Sequence, residues 1–248
     1  MGKKNKRRAP PEAAAAAVPS SPMRSTLKLP TFLPVLPPTS AESWGAAAAR
    51  PLTSEVAVLA ADAVSASIVA AGPALTDEEC EAWIAWGEAE GFALEKHAAS
   101  AFVAARDNGR LAVQSQEIAD AIFARLKPTL PVVAGREAVG CNPNVRLYRY
   151  GPTQRFGRHV DGAQSLTDGS TTEFTVLFYL NDAGLEGGAT VFYRSHESGA
   201  GELLRFAPKR GAALLHAHGE RCLTHEGAAV SRGVKYLLRT DVAYSPLF

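Results

Sequence analysis

The feature that most constrains the fold is a change of texture at Pro143. From there the sequence breaks into eight short β-rich runs punctuated by glycine, at 145–150, 155–160, 173–180, 189–193, 202–206, 211–216, 221–225 and 235–244. Runs of this length, separated by turn signals at this spacing, predict a double-sheet roll of the jelly-roll kind rather than a parallel sheet with helical crossovers.

Two helices are expected upstream, packed outside one sheet. Thr76 followed three residues later by Glu79 is a capping box, and Asp77, Glu78 and Glu79 complement the helix N-terminus. Cys80, Trp83, Ile84 and Gly87 then recur on one face, and Gly91 closes the helix, so Trp83 and Trp86 read as core residues. A second helix is expected from Gln116 to Lys127, with Ile118, Ile122 and Leu126 in register, Ser115 as cap, and Pro128 and Pro131 as stops. Between the helices, Asn108-Gly109 reads as a turn, with Asn108 and Arg110 as candidates for a lid. Residues 67–71 read as a short strand ended by Gly72-Pro73.

Residues 1–51 read as a disordered tail. Nine of the 16 prolines fall there, with alanine runs at 13–17 and 46–49, and too little apolar surface to offset the entropy of ordering. The net charge of +1 hides a split: eight Lys/Arg against two Glu in residues 1–50 give +6 and leave the remainder at −5. The cluster Lys3-Lys-Asn-Lys-Arg-Arg8 reads as a nuclear address or polyanion-binding tail, or simply as a solvated one; a transit peptide is also compatible. An acidic remainder argues against a phosphate-tracking nucleic-acid groove. No run of 18 uncharged apolar residues occurs, so no spanning helix is expected. Three widely spaced cysteines make no disulfide framework and fit a reducing compartment. With no secretory signal expected, the location reads as intracellular, cytoplasmic or nuclear. Residues 52–248 are thus expected to form one domain, with the roll at about 143–244.

Chemistry enters at Arg155-Phe-Gly-Arg-His-Val-Asp161. His159 and Asp161 are two apart, and on an extended strand such residues share a face. A third donor is available in His225, and two imidazoles with one carboxylate make the facial triad of non-haem Fe(II) oxygenases. His216 and His218 lie close enough in sequence to replace His225, whereas His97 and His196 read as surface residues. Arg158, on the opposite face of the strand, reads as an ion-pair partner.

The chain resembles the 2-oxoglutarate- and Fe(II)-dependent dioxygenases of prolyl 4-hydroxylase type. The resemblance rests on five motifs in order over residues 66–244. They are Tyr148-Arg-Tyr150, Phe156-Gly-Arg-His-Val-Asp161, Thr175-Val-Leu-Phe-Tyr-Leu-Asn181, Gly187-Gly-Ala-Thr-Val-Phe192, and the stretch from His225-Glu-Gly to Lys235-Tyr. It implies a double-stranded β-helix with Fe(II) on His159, Asp161 and His225. It also implies 2-oxoglutarate held by Lys235, ten residues after the distal histidine, with Tyr150, Thr175 and Tyr179 as hydroxyl donors. Strand alternation makes Arg239 a rival for Lys235. The implied reaction is hydroxylation of a C–H bond on a protein or peptide side chain, coupled to decarboxylation of 2-oxoglutarate to succinate, with ascorbate as reductant and no general base. Phe156 stands where collagen-type enzymes carry a tyrosine, and the ending 235–244 lacks their tryptophan, so the chain looks closer to an intracellular branch. A small molecule or nucleic acid base as substrate, or a catalytically silent binding module, are the rival readings.

Overall fold

The computed structural model describes residues 68–71, 74–100, 103–197 and 199–246. The expected tail at 1–51, its basic cluster and the start of the domain lie outside them. The chain runs through β1 (Ile68–Ala71), α1 (Asp77–Glu90), β2 (Ala93–His97), β3 (Arg106–Gln114), α2 (Gln116–Leu126) and a 3-10 turn, Lys127–Thr129. There follow β4 (Ala138–Cys141), β5 (Asn144–Tyr150), β6 (Arg155–His159), β7 (Thr171–Tyr179), β8 (Glu186–Gly187), β9 (Thr190–Tyr193) and β10 (Glu202–Phe206). The last strands are β11 (Ala213–Ala217), β12 (His225–Gly227), β13 (Val230–Arg232) and β14 (Lys235–Tyr244).

Both helices start as their caps require. Thr76 Oγ1 accepts from the Glu79 amide at 3.2 Å while Glu79 Oε2 accepts from the Thr76 amide at 2.9 Å. Ser115 Oγ accepts from the Ile118 amide at 3.2 Å. Such caps contribute on the order of 1 kcal/mol each. Gly91 (φ 79°) ends α1, its amide donating to Gly87.

The strands form one curled antiparallel sheet in the order β1-β11-β7-β14-β5-β3-β6-β12-β9-β10, with β2 on β3 and β4 on β14; β8 and β13 make a separate pair. Alternation along the strands separates two cores. On the outer face Val145, Leu147, Phe174, Val176, Phe178, Ala213, Leu215, Leu238 and Val242 pack with Cys80, Trp83 and Trp86 of α1 and Ile118, Ile122 and Leu126 of α2. On the inner face Tyr148, Tyr150, Leu177, Tyr179, Leu214 and Leu237 meet Phe192 and Leu204 from the opposite wall of the curl. This is the double-stranded β-helix, or jelly roll, with two helices outside one sheet. Bearing its inner residues on both walls, the curl creates an enclosed mouth where side chains far apart in sequence converge.

Two expectations are corrected. Asn108-Gly109 is no turn but the middle of β3, paired on one side with β2 and on the other with β5. Asn108 is fully buried, its Nδ2 donating to the Gly109 carbonyl at 2.8 Å, and Gly109 is the point where Phe92 crosses the strand. A lid role for Asn108 and Arg110 goes with it: Arg110 is ion-paired with Glu95 on the neighbouring strand. The run expected at 221–225 begins instead as a 3-10 turn, Gly219–Arg221, and pairing starts only at His225.

Candidate metal centre

β6 and β12 are paired antiparallel with His225 directly opposite His159. Asp161 follows just beyond β6. Its amide donates to Cys222 Sγ at 3.1 Å and its carbonyl accepts from the Gly219 amide at 2.9 Å, so the turn at 219–222 wraps and fixes it. His159 Nε2 lies 3.6 Å from Asp161 Oδ1, and His225 Nε2 lies 4.0 Å from Oδ2. One donor atom from each of the three residues falls within 4.8 Å of the others. Both imidazoles are oriented alike. His159 Nδ1 lies 2.8 Å from the Gly157 carbonyl and His225 Nδ1 2.9 Å from the Leu223 carbonyl. A carbonyl only accepts, so each Nδ1 is the protonated nitrogen and each Nε2 keeps its lone pair for a metal.

The electrostatics favour the same state. Burial pushes His159 down to about 3, with the neighbouring His225 adding to it, and burial lowers His225 as well. Both are therefore neutral ligands at ordinary pH. Burial alone would raise Asp161, but the Arg239 guanidinium beside it holds the carboxyl well below its usual range. Arg239 Nη2 donates to Asp161 Oδ2 at 3.0 Å, and Thr175 Oγ1 donates to the same oxygen at 2.7 Å. Behind them Asp241, fully buried, takes Arg146 at 3.1 Å and Arg239 at 3.4 Å.

These donors open onto one cavity, lined by Tyr148, Tyr150, Phe156, Leu177, Leu237 and Lys235 among others. Lys235 is 2% exposed and forms no ion pair among the described residues. Its ammonium donates to the Gly188 carbonyl and lies 5.5 Å from the ring centres of Tyr150 and Tyr179. Burial pushes it down to about 7. Gly188 can serve this contact because its φ of +68° suits glycine, and a Cβ there would stand 3.0 Å from Lys235 Cδ. A buried cation at one end and three inward donors at the other fit a metal chelated by a dicarboxylate.

The structure thus brings His159, Asp161 and His225 together and places Lys235 and Tyr150 in the same cavity. Tyr179 presents its ring to Lys235, with its hydroxyl 2.6 Å from Thr190 Oγ1. Thr175 departs from the expectation of a cosubstrate donor. It stands opposite Asp241 in the β7–β14 register, six residues along β14 from Lys235, or roughly 20 Å. Its hydroxyl serves Asp161 instead. Arg239 is likewise on the Asp161 carboxylate rather than beside Lys235. His218 points away, between Thr172 Oγ1 at 3.0 Å and Thr175 Oγ1 at 2.9 Å. His97 and His196 are exposed. Arg158 makes no ion pair among the described residues; it lies over the Tyr193 ring at 3.6 Å and donates to the Glu197 carbonyl. Sequence reasoning missed the stack of Phe156 on His159, with ring centres 3.8 Å apart, and of Arg106 on Phe156 at 4.0 Å. Arg106 comes from β3, whose strand character was hidden by Asn-Gly. Tyr148, also missed as a lining residue, shares a face with Tyr150 by simple alternation.

One comparison with known proteins, the family model, agrees with this geometry. Residues 145–240 match the family model of the 2OG-Fe(II) oxygenase superfamily. No curated protein matches the chain. Among solved structures it is similar to the viral collagen prolyl hydroxylase of Paramecium Bursaria Chlorella virus-1 in complex with 2OG, at 16% identity over 71% of this chain and 96% of that one, TM-score 0.48. It is also similar to a Pseudomonas putida prolyl-4-hydroxylase, at 15% identity over 75% and 97%, TM-score 0.49. A third is a Trichoplax adhaerens prolyl hydroxylase in complex with a hypoxia inducible factor peptide fragment, at 16% identity over 62% and 71%, TM-score 0.43. The stretch that matches the 2OG-Fe(II) oxygenase superfamily model, residues 145–240, holds His159, Asp161, His225 and Lys235.

Proposed function

We propose that this dioxygenase hydroxylates a C–H bond on a protein or peptide side chain, with peptidyl proline the first candidate. His159, Asp161 and His225 would hold Fe(II), and Lys235 would take the distal carboxylate of 2-oxoglutarate. The observation that carries the reading is the pairing of three inward donors with a buried lysine that has no ion-pair partner among the described residues, in one cavity. When bound, Fe(II) and 2-oxoglutarate supply the oxidation: the keto acid becomes succinate and carbon dioxide, and one oxygen atom of dioxygen enters the C–H bond.

The chain's own residues prepare the site. The Gly157 and Leu223 carbonyls set the tautomers, and Thr175 and Arg239 fix one oxygen of Asp161. Phe156 and Tyr148 form an apolar wall that excludes water beside His159. An apolar wall suits a side chain better than a phosphate backbone, and the −5 charge of residues 51–248 agrees. Ascorbate as reductant and an intracellular setting, cytoplasmic or nuclear, belong to the same proposal.

Anaerobic addition of Fe(II) and 2-oxoglutarate should produce a visible charge-transfer band, lost in His159→Ala and weakened in Lys235→Ala. No band from folded protein would sink the proposal. Mass spectrometry of proline-containing peptides incubated with the aerobic enzyme should find added oxygen. Succinate formation that responds only to small molecules or nucleobases would move the substrate elsewhere.

A further inference from the structure

The cavity holds a third imidazole that the facial triad does not use. His216, on the inner face of β11, is 2% exposed and lines the cavity. Its Nε2 lies 3.8 Å from Asp161 Oδ2. Its ring centre is 4.2 Å from that of His225 with the planes at 55°, and His159 flanks His225 at 4.2 Å and 54° on its own side. Asp161 faces both flanks, Oδ1 toward His159 and Oδ2 toward His216. Donors on a common ion at about 2.1 Å each lie roughly 3 to 4 Å apart, a condition that the His216–Asp161 distance meets; His216 otherwise clusters with His225 and Cys222, so a rotation of its ring would bring it to an ion held by His159, Asp161 and His225.

His216 differs from the other two in one respect. Its Nδ1 is buried with no hydrogen-bond partner among the described residues, whereas those of His159 and His225 are anchored to carbonyls. No hydrogen bond at Nδ1 therefore holds the His216 ring in one orientation. Lacking the anchor that fixes ring orientation, it is the donor most easily displaced.

We infer that His216 is a fourth, exchangeable protein donor that occupies the metal until 2-oxoglutarate displaces it. The inference rests on the iron-site reading above. Its physical consequence is competition: the keto acid would take the position that His216 holds, so His216 would lower cosubstrate affinity and, once released, leave a position for dioxygen beside the bound keto acid.

Co(II) is the probe, added anaerobically to the whole protein. Proton NMR should show three strongly shifted, exchangeable imidazole N–H resonances without 2-oxoglutarate and two with it. His216→Phe should show two in both states. It should bind Co(II) about tenfold more weakly, yet its Co(II) form should bind 2-oxoglutarate more tightly, because nothing has to leave. His216→Gln should split the two affinities in the same direction. Two resonances in the unaltered protein without 2-oxoglutarate would overturn the inference. So would variants that lower both affinities together, as a packing role would. Failure to bind Co(II), or loss of the His159 and His225 resonances as well, would bring down the iron-site reading itself.

Discussion

Lys235 carries a desolvation cost that an anion would relieve. Its pKa of about 7 in the folded protein, against 10.5 when exposed, means the unfolded chain binds more protons throughout that window. The lysine therefore opposes folding most below pH 7, and its contribution becomes more favourable as pH rises from about 7 to 10.5. Binding runs the other way. A dicarboxylate needs the charged form, so 2-oxoglutarate affinity should be highest below pH 7 and fall as pH rises above it, with proton uptake on binding. Calorimetry in buffers of different ionisation enthalpy would show the uptake; affinity flat from pH 6 to 9 would refute it. Lys235→Met keeps the length and removes the charge, so it should strongly weaken cosubstrate binding while leaving the cosubstrate-free protein at least as stable. Thr175 acts behind the cavity wall, on Asp161. Thr175→Val should weaken metal affinity about tenfold through Asp161, with Thr175→Ser restoring it, as expected of a group that orients a ligand. Equal affinities for valine and serine would remove that role.

β3 shows where pattern reading stops. Asn-Gly favours a two-residue turn locally, but here both residues are consumed by packing: Asn108 is buried and Gly109 lies under Phe92. A Cβ at position 109 would come within 2.8 Å of Phe92 Cβ, so Gly109→Ala should cost about 1–3 kcal/mol by overpacking, read as a lower denaturant midpoint. An unchanged midpoint would show that Phe92 moves freely. From Pro143 onward the longer strands were legible because alternation is strict: Lys235, Leu237 and Arg239 share one face and Leu238 and Val242 the other, as the two cores show, whereas the short β8 and β13 were not. Period 2 reveals which face a residue takes, not its height in the curl, and height separates Thr175 from Lys235. β2 escaped because it is an exposed strand with no apolar alternation, and β4 because it is four residues paired on the edge of β14. His159 and Asp161 were paired by their spacing and the full set with His225 came from the family resemblance; His216 was named only as a substitute for His225, and its place beside Asp161 and His225 needed the register that sets β11 against β7.

At the scale of the molecule, the helical layer closes the outer core, and one ion pair joins its two members. Arg125 of α2 donates to both carboxylate oxygens of Glu79 of α1, at 2.7 and 2.9 Å, and to the Ala74 carbonyl at 2.9 Å. The side chains are 9% and 3% exposed. Glu79 also completes the cap of α1, so one carboxylate starts a helix and ties it to its neighbour. Removing one charge from such a pair leaves the other buried without its counter-ion. Glu79→Gln should therefore cost about 3–5 kcal/mol in denaturant unfolding. Neither helix lines the cavity, so Co(II) and 2-oxoglutarate affinities of the folded variant should be unchanged. Glu79→Leu combined with Arg125→Met should recover much of the loss, since both charges leave together and only the cap and the Ala74 hydrogen bond are missing. A Glu79→Gln cost below about 1 kcal/mol would mean that water reaches the pair and screens it like a surface salt bridge. A stability loss accompanied by weaker metal binding would mean instead that the helical layer, through the strands beneath it, sets the shape of the metal site.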